Sequence, residues 1–348
     1  MYPCSFTFMG FTFECTEMTY QWFRCFLFEE NEKANKIRTF KGPRNGFASK
    51  QEGATRTFQN FRSDWWDIVK VYVMQGILFS KFLQNAALSE HLLNTGWAPL
   101  GESGWDSSGW ASGVYVIGPN WRSGQPFPRP NLLGNLVRLQ LRLNFLHTGT
   151  LVVCDSLGAD LQLPPSTVVL CLRGARIQHI VKIARACACP LFSSIVILGG
   201  TNNLPRRHAP KGDLPALYAP DGALSPNSTK HVLRHFQRDV SFLSAENPSI
   251  SIFVCEILPR HNDFSKDLNI PVSSIQQTLT KVNKSLRYVA NARKQAGTWR
   301  NVQILPINQY FRDTSFFRFR NGVPDLHLNS AGASRLSDIL RIYLENSQ

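Results

Sequence analysis

The hydrophobic positions of the chain follow two different patterns, and the change falls near residue 148. From residue 149 onward, short apolar runs alternate with stretches in which apolar residues recur at three- and four-residue steps. Short apolar runs bounded by turn residues predict buried strands, and the longer spacing predicts amphipathic helices. The apolar runs lie at 151–154, 167–172, 194–198, 250–255 and 302–305.

Strands that alternate with helices in this way favour βαβ units around a parallel sheet. The helical spacing is clearest over 232–243, 275–289 and 336–343. Right-handed crossovers would place such helices on both faces of the sheet. We therefore predict an α/β domain over residues 149–346, a flavodoxin-like three-layer α/β/α sandwich with a parallel sheet.

Residues 1–148 show no such alternation, although they contain seven of the eight tryptophans. The part from 97 to 130 is rich in Gly, Ser, Trp and Pro, a composition typical of loops. Apolar spacing predicts one helix over about 65–93 and another over 131–145. This region carries no motif with identifiable chemistry. We expect a poorly defined N-terminal extension of uncertain fold, with part of it disordered.

The charge of the chain changes the list of partners to consider. The formal net charge is +14, and the part after residue 150 holds 23 Lys/Arg against 13 Asp/Glu. A basic balance of this kind favours acidic or polyanionic partners. Because no Lys/Arg-rich run is present, a nucleic-acid partner is only weakly indicated, and a basic surface on an ordinary globular domain is the alternative.

The cysteine pattern and the N-terminus limit which cofactors and which cellular compartment are expected. The eight cysteines include no C-x-x-C pair, and Cys187-Ala-Cys189 lacks a second ligand pair at zinc spacing. We therefore expect free thiols, no metal and no cofactor. The N-terminus lacks a basic segment followed by an apolar core, and the apolar window 65–83 is interrupted by charges. An intracellular chain without a signal peptide or transmembrane segment is the expectation.

Polar residues with catalytic potential follow the predicted strands. Asp155-Ser-Leu-Gly158 comes directly after the first strand, Arg173-Gly-Ala-Arg176 after the second and Gly199-Gly-Thr-Asn-Asn203 after the third. Pro324-Asp-Leu-His-Leu-Asn329 precedes the last helix. Because open α/β sheets place ligands at the carboxyl ends of their strands, these four segments are expected to meet.

In these four segments the chain resembles the SGNH or GDSL-type hydrolases, which are named for Ser, Gly, Asn and His in four blocks. Ser156, Gly174, Asn202 and His327 match those letters in order. The segment Glu256-Ile-Leu-Pro-Arg260 and the later LHLNSAG also resemble SGNH-like domains of retrotransposon-encoded and transposon-derived proteins. The resemblance covers residues 149–346 and implies an esterase.

The chemistry requires these residue types independently of the family. A serine hydroxyl is a weak nucleophile until a base accepts its proton, and histidine is suited to that role near neutral pH. Ser156 is thus the candidate nucleophile, His327 the base, and Asp325 the group that orients the imidazole. Ester attack creates an oxyanion that needs fixed donors. We expect them from the backbone N–H groups of Ser156 and Gly174 and the Asn202 amide.

The chain departs from the family pattern at three positions. Cys154 stands where the family has a glycine, and Asn203 stands where it has an aspartate. The family's aspartate lies three residues before the histidine, whereas Pro324 holds that position here and Asp325 lies two before His327. We therefore expect Ser156 and His327 to work mainly as a dyad, with Asp325 in an assisting role.

Each candidate also has a purely structural interpretation. Ser156 can instead cap a helix, and Gly174 can simply complete a turn. Asn202 can brace a loop, and His327 can be a structural histidine.

Two functions remain open from the sequence. One is a serine esterase or acyl hydrolase acting on small esters or lipid acyl groups through a covalent acyl-enzyme. The other is a catalytically degenerate domain of mobile-element origin that associates with nucleic acid through its positive charge. The substrate and the oligomeric state are left open by the sequence.

Overall fold

The structure, a computed structural model, describes residues 4–95, 149–203, 226–259, 272–320 and 323–345. The chain divides into two compact units. The first comprises residues 1–63, 70–147 and 189–191, and the second comprises 64–69, 148–188 and 192–348. The helix predicted over 131–145 lies outside the described residues.

The second unit is built on a five-stranded parallel sheet. Its strands are paired in the order β4-β3-β5-β6-β7, and every pairing is parallel. Each strand coincides with one of the five predicted apolar runs, so the predicted parallel sheet is confirmed. The strands are β3 (Gly149–Cys154), β4 (Thr167–Cys171), β5 (Phe192–Leu198), β6 (Ser251–Cys255) and β7 (Val302–Leu305).

Strand β3 lies inside the sheet, between β4 and β5, and shows why these runs form strands. Its residues Leu151 to Cys154 are 0% exposed. Side chains alternate between the two faces of a strand, so a strand that is covered on both faces needs an unbroken apolar run. Val152 and Cys154 belong to one large apolar cluster, while Leu151 and Val153 occupy the alternate positions.

Helices flank this sheet, as the α/β/α prediction requires. Helix α6 contacts β3 and β5, and α8 contacts β7, while the apolar residues of α9 join the cluster that contains Val152. The helices of this unit are α6 (Ile177–Cys187), α7 (Pro226–Glu246), α8 (Val272–Gln295) and α9 (Ser330–Glu345).

Helix α6 is an element that the sequence analysis does not explicitly predict. Its residues Ile177, Ile180, Val181 and Ala184 are fully buried and lie at the spacing of one helix face. Its polar residues His179, Lys182 and Arg185 lie half-buried at three-residue steps, so the helix is amphipathic, but it is only 11 residues long. Packing against the sheet decides its conformation.

A short antiparallel hairpin precedes the last helix. Strand β8 (Phe317–Arg320) pairs with β9 (Val323–Leu328), with Phe317 opposite Leu328. Both of these residues are buried in the apolar cluster shared with α9. The hairpin is thereby anchored at the end that lies nearest to α9 in sequence.

Residues 4–95 contain more regular structure than the sequence pattern predicts. The helix predicted over 65–93 is two helices that meet at Gln84 and Asn85. The elements are β1 (Phe6–Phe8), β2 (Phe11–Phe13), α1 (Thr16–Leu27), α2 (Asn31–Thr39), α3 (Asn45–Glu52), α4 (Ser63–Leu83) and α5 (Ala86–Asn94).

Aromatic side chains form the core of these N-terminal elements. Trp22 is 2% exposed and its ring centroid lies 5.1 Å from that of Phe13 and 5.1 Å from that of Phe26. Phe23 is fully buried, with its ring 6.4 Å from Phe8. Large rings bury much surface per residue, so a core can form from short elements that lack a regular apolar period.

Candidate active site

The turn that follows β3 holds the candidate nucleophile. Ser156 begins a short 3-10 turn, Ser156–Gly158, and Asp155 caps it by accepting a hydrogen bond from the Leu157 N–H at 3.0 Å. The Asp155 N–H donates in turn to the Leu198 carbonyl at the end of β5. Asp155 is 1% exposed, so its carboxylate is a buried structural anchor of the turn.

Cys154 makes this turn more crowded than a glycine would. The Cβ atom of any larger residue at Gly158 would lie 2.4 Å from the Cys154 Sγ atom. The two positions are therefore complementary: the larger side chain at Cys154 is accommodated because Gly158 has none. The hydrogen bond with the neighbouring Cys171, together with burial, holds the pKa of the Cys154 thiol well above its usual value, which makes Cys154 an inert packing group.

His327 lies beside Ser156 in space, although the two are 171 positions apart in sequence. The distance between the His327 Nε2 and the Ser156 Oγ atoms is 3.1 Å, within hydrogen-bond reach. When the Nδ1 atom carries the imidazole proton, Nε2 accepts the serine proton. The structure thus brings together the two residues that the sequence pairs as nucleophile and base.

Arg318 links the strand of His327 to the loop that follows Ser156. Its Nε atom donates to the Leu328 carbonyl at 2.9 Å, and its Nη2 atom lies 2.5 Å from Oδ2 of Asp160. Leu328 directly follows His327 in β9, and Asp160 lies four residues after Ser156. One side chain therefore connects the two halves of the site.

Asn329 fixes the other end of the same hairpin. Its side-chain amide donates to the carbonyls of Ser315 and Phe317, and its Oδ1 atom accepts from the Gly332 N–H at the start of α9. The residue that follows Leu328 is therefore held on three sides, which limits the freedom of the strand that carries His327.

Gly174 lies in the loop between β4 and α6. Its φ is +79°, a left-handed conformation that glycine adopts without steric cost. The Ala175 N–H donates to the Leu172 carbonyl, which closes the turn around Gly174. The position thus needs glycine for backbone reasons, and its role as an oxyanion donor stays a prediction.

Asn202 is 9% exposed, and its amide nitrogen donates two hydrogen bonds. The acceptors are the Asp155 Oδ2 atom at 3.1 Å and the Ala175 carbonyl at 3.0 Å. Because both neighbours are acceptors, the amide nitrogen and not its oxygen must face them. Both hydrogens of the amide nitrogen are engaged. Asn202 can therefore donate to an oxyanion only if one of these two hydrogen bonds is broken.

Asn203 has a role that sequence reasoning missed. Its Oδ1 atom accepts from the Ile177 N–H at 2.7 Å, and its amide nitrogen donates to Gln178 at 3.0 Å. It therefore satisfies the first amide of α6 from outside the helix. An asparagine cap has no local sequence signature here, since 26 positions separate Asn203 from Ile177.

Asp325 lies in strand β9, two residues before His327. Its side chain lies outside the described residues, so its proposed contact with the imidazole stays a prediction. Pro324 lies in the same strand and pairs with Phe319. The backbone around Asp325 is therefore extended, in agreement with the fixed φ of proline.

Two features of other functional classes do not occur in the described part of the chain. Within the described residues, no group of three or more His, Cys, Asp or Glu side chains is placed to hold a metal ion. No helix of that part is both long and apolar enough to cross a membrane.

A comparison with protein families finds a match in the N-terminal part of the chain. Residues 2–141 match the family model of the NADAR domain, which is less than half of the chain. Sequence reasoning identified no family for this region. The comparison with curated proteins found no match.

Solved structures resemble a little over half of the chain. A Bacteroides fragilis protein named as an acylhydrolase is 13% identical, with 61% of this chain and 97% of that chain covered and a TM-score of 0.40. A GDSL-like lipase from Bacteroides thetaiotaomicron is 12% identical over 58% of this chain and 90% of that chain, with a TM-score of 0.38.

The esterase domain of the ORF1 protein from the zebrafish ZfL2-1 retrotransposon is 20% identical, with 57% of this chain and 99% of that chain covered and a TM-score of 0.26. At TM-scores below 0.5, these similarities support neither the fold nor the function of this chain. The architecture rests on the sheet order and the helices described above.

Proposed function

We propose that the chain is a serine esterase or acyl hydrolase that cleaves carboxylic esters through a covalent acyl-enzyme. The observation that carries the proposal is the 3.1 Å distance between the Ser156 Oγ and the His327 Nε2 atoms. Ser156 follows the carboxyl end of an inner strand of a parallel sheet, where such sheets place their ligands. A serine that only caps a turn would not need an imidazole at this distance.

The reaction follows from the roles of the two side chains. His327 accepts the hydroxyl proton as the Ser156 Oγ atom attacks the ester carbonyl, and the carbonyl π electrons move to the oxygen. Collapse of the tetrahedral intermediate expels the alcohol, which takes its proton from the His327 imidazolium. Water then attacks the acyl-enzyme with His327 again as base, which releases the acid and restores Ser156.

The oxyanion of the intermediate needs fixed donors. The Ser156 N–H begins the 3-10 turn and has no acceptor within it. Gly174 has no Cβ atom, so an oxyanion can approach its backbone closely. Asn202 contributes by exchanging its bond to the neutral Ala175 carbonyl for the oxyanion. Its bond to the Asp155 carboxylate is charge-assisted and is therefore the one that it keeps.

Labelling with a fluorophosphonate probe tests the proposal. The probe should label the wild-type protein and not Ser156→Ala, because only an activated serine hydroxyl attacks it. Ser315→Ala is the matched control, since Ser315 is an exposed serine of the same unit and should leave the labelling unchanged. Equal labelling of wild type and Ser156→Ala would remove Ser156 as the nucleophile.

A further inference from the structure

Helix α8 has an unbalanced charge. Its 24 residues include Lys281, Lys284, Arg287, Arg293 and Lys294 and contain no Asp or Glu. The two other long helices of this unit do contain acids, with Asp239 and Glu246 in α7 and Asp338 and Glu345 in α9. Helix α8 alone thus holds five of the 23 Lys/Arg and none of the 13 Asp/Glu of the part after residue 150.

Most of the cations of α8 lie on its exposed side. Lys281 and Lys284 are exposed and point away from the fully buried Leu286, and Lys294 is also exposed. Arg293, seven residues after Leu286, is exposed on the side of that residue. Within the described part of the chain, Arg287 alone among the five cations has an ion-pair partner. Unpaired exposed cations in a row attract a polyanion without first losing internal partners.

An aromatic side chain lies within this row. Tyr288 is 74% exposed and lies four residues after Lys284 on the same side of the helix. A tyrosine ring that is already exposed keeps a face available for stacking on another flat ring. Cations that alternate with an exposed aromatic ring are the combination used to bind unpaired nucleotides.

A polar cavity of about 520 Å³ adjoins the same helix. Gln276, Thr280 and Arg287 of α8 line one side of it, and Asn308 and Arg312 line the other. Its volume falls within the range of small-ligand pockets. Arg287 and Arg312 face one carboxylate in this cavity, that of Glu256, so the cavity keeps a net positive charge, which favours an anionic group such as a phosphate.

Glu256 holds one of these arginines in place. Its carboxylate is 2% exposed, and its Oε1 atom lies 2.9 Å from the Arg287 Nε atom. The Arg287 side chain is nevertheless 55% exposed, so the rest of its guanidinium faces outward. A buried partner that orients an exposed arginine preorganises it for an anion.

We propose that the exposed face of α8, together with this cavity, binds single-stranded nucleic acid. The lysines and arginines contact the phosphates, and Tyr288 stacks on a base. From Lys281 to Lys294 the helix extends roughly 20 Å, enough for several consecutive phosphates. This binding is independent of the esterase reaction, because no residue of α8 belongs to the Ser156 site.

The composition of this face favours nucleic acid over an anionic membrane. A helix that lies on a membrane needs a large apolar face to insert between the lipids. The apolar side of α8 is used inside the protein, where Leu279, Val282 and Leu286 are buried. Tyr288 is the one large apolar side chain that the described part of α8 exposes.

Fluorescence anisotropy with labelled single strands of about 20 nucleotides tests this inference on the full chain. Oligo(U) and oligo(dT) distinguish RNA from DNA. Four or five phosphate contacts predict that the logarithm of the binding constant falls with the logarithm of salt with a slope of about −3. The Ser156→Ala variant should bind as tightly as wild type, which separates this test from that of the esterase.

The decisive variant reverses two charges, Lys281→Glu with Lys284→Glu. It should weaken binding roughly tenfold or more and reduce the salt slope by about 1.4. Lys50→Glu with Arg56→Glu is the matched control, because it changes the net charge equally at exposed positions of the other unit. Should the reversed protein misfold by circular dichroism, Lys281→Gln with Lys284→Gln replaces it, with a smaller loss expected.

Tyr288→Ala tests the stacking and should weaken binding roughly five- to a hundredfold without changing the salt slope. Three results would overturn the inference. They are no binding of either strand at about 50 mM salt, equal losses for the α8 pair and the control pair, and binding to phosphatidylserine vesicles in the absence of nucleic-acid binding. An unchanged affinity of Tyr288→Ala would overturn the role of that ring.

Discussion

The two ends of the chain reach a buried core by different means. In the C-terminal part, short apolar strands alternate with amphipathic helices, and chemistry-bearing residues collect at the strand ends. In the N-terminal part, the rings of Phe13, Trp22 and Phe23 pack in short elements that have no common period. The regular apolar pattern of the C-terminal part therefore indicates where a candidate site lies. The aromatic residues of the N-terminal part form a core but do not indicate a site.

We expect the largest loss of activity at His327, in the C-terminal part. His327→Ala should lower kcat on a short-chain ester by about 10⁴ or more, because Ser156 loses its base. His91→Ala, an exposed histidine of α5, is the control and should leave kcat unchanged. Comparable activity of His327→Ala and wild type would mean that the 3.1 Å contact has no catalytic role.

A pair of buried asparagines compares the two parts directly. Asn202→Ala should lower kcat by about 10²–10³ with little change in KM, because the oxyanion loses a donor that acts mainly in the transition state. Asn45 is similarly buried, at 8% exposure, and bonds Cys15 and Glu14. Asn45→Ala should lower stability alone. A change only in the KM of Asn202→Ala would assign Asn202 to pocket shape.

A smaller loss of activity is expected at Asp325. Asp325→Asn should lower kcat about tenfold to a hundredfold, whereas neutralising the aspartate of a well-formed triad costs roughly 10⁴. The reason is that Asp325 lies two residues before His327 in an extended strand, in place of the three-residue step of the family. Equal, near-total losses for Asp325→Asn and His327→Ala would show a full triad.

The independence of the C-terminal unit can be tested by truncation. A fragment of residues 149–348 should unfold cooperatively and show the proposed esterase activity, because the sheet and its flanking helices lie within it. The fragment lacks Trp65, whose indole N–H donates to the Arg173 carbonyl at 3.0 Å. Its free energy of unfolding should therefore fall by up to about 3 kcal/mol.

Trp65→Ala in the full chain is the matched control for that loss. It should reproduce the decrease in the stability of the C-terminal unit, since it removes the same indole contacts with Arg173 and His179. An insoluble fragment, together with a stable Trp65→Ala protein, would show that other N-terminal residues complete the core.

The smallest effect is expected at Glu256. Burial raises the pKa of this carboxyl above its usual 4.5, and the nearby Arg287 offsets part of the rise. The folded state then holds the proton more tightly than the unfolded chain, so the contribution of this group to stability is fully present below pH 4.5 and declines as pH rises through the raised pKa. Glu256→Gln should remove this decline in urea titrations at successive pH values. A parallel decline in both proteins would contradict it.

The regularity of the C-terminal sequence explains why so much of its fold is predictable. Five apolar runs are enough to identify five strands, because a strand covered on both faces must be apolar throughout. Helix α6 has an amphipathic spacing but spans only 11 residues, too short a stretch for the period to stand out beside the longer helices. The break between α4 and α5 is also hard to predict, because Gln84 and Asn85 include neither a proline nor a glycine.

By itself, the sequence determined the parallel sheet and the placement of Ser156, Gly174 and Asn202 at its strand ends. These follow from local periodicity, which needs no knowledge of distant contacts. Only the tertiary structure decided that His327 lies 3.1 Å from Ser156 and that both hydrogens of the Asn202 amide are engaged. Such contacts join residues 27 to 171 positions apart, and chain topology alone sets them.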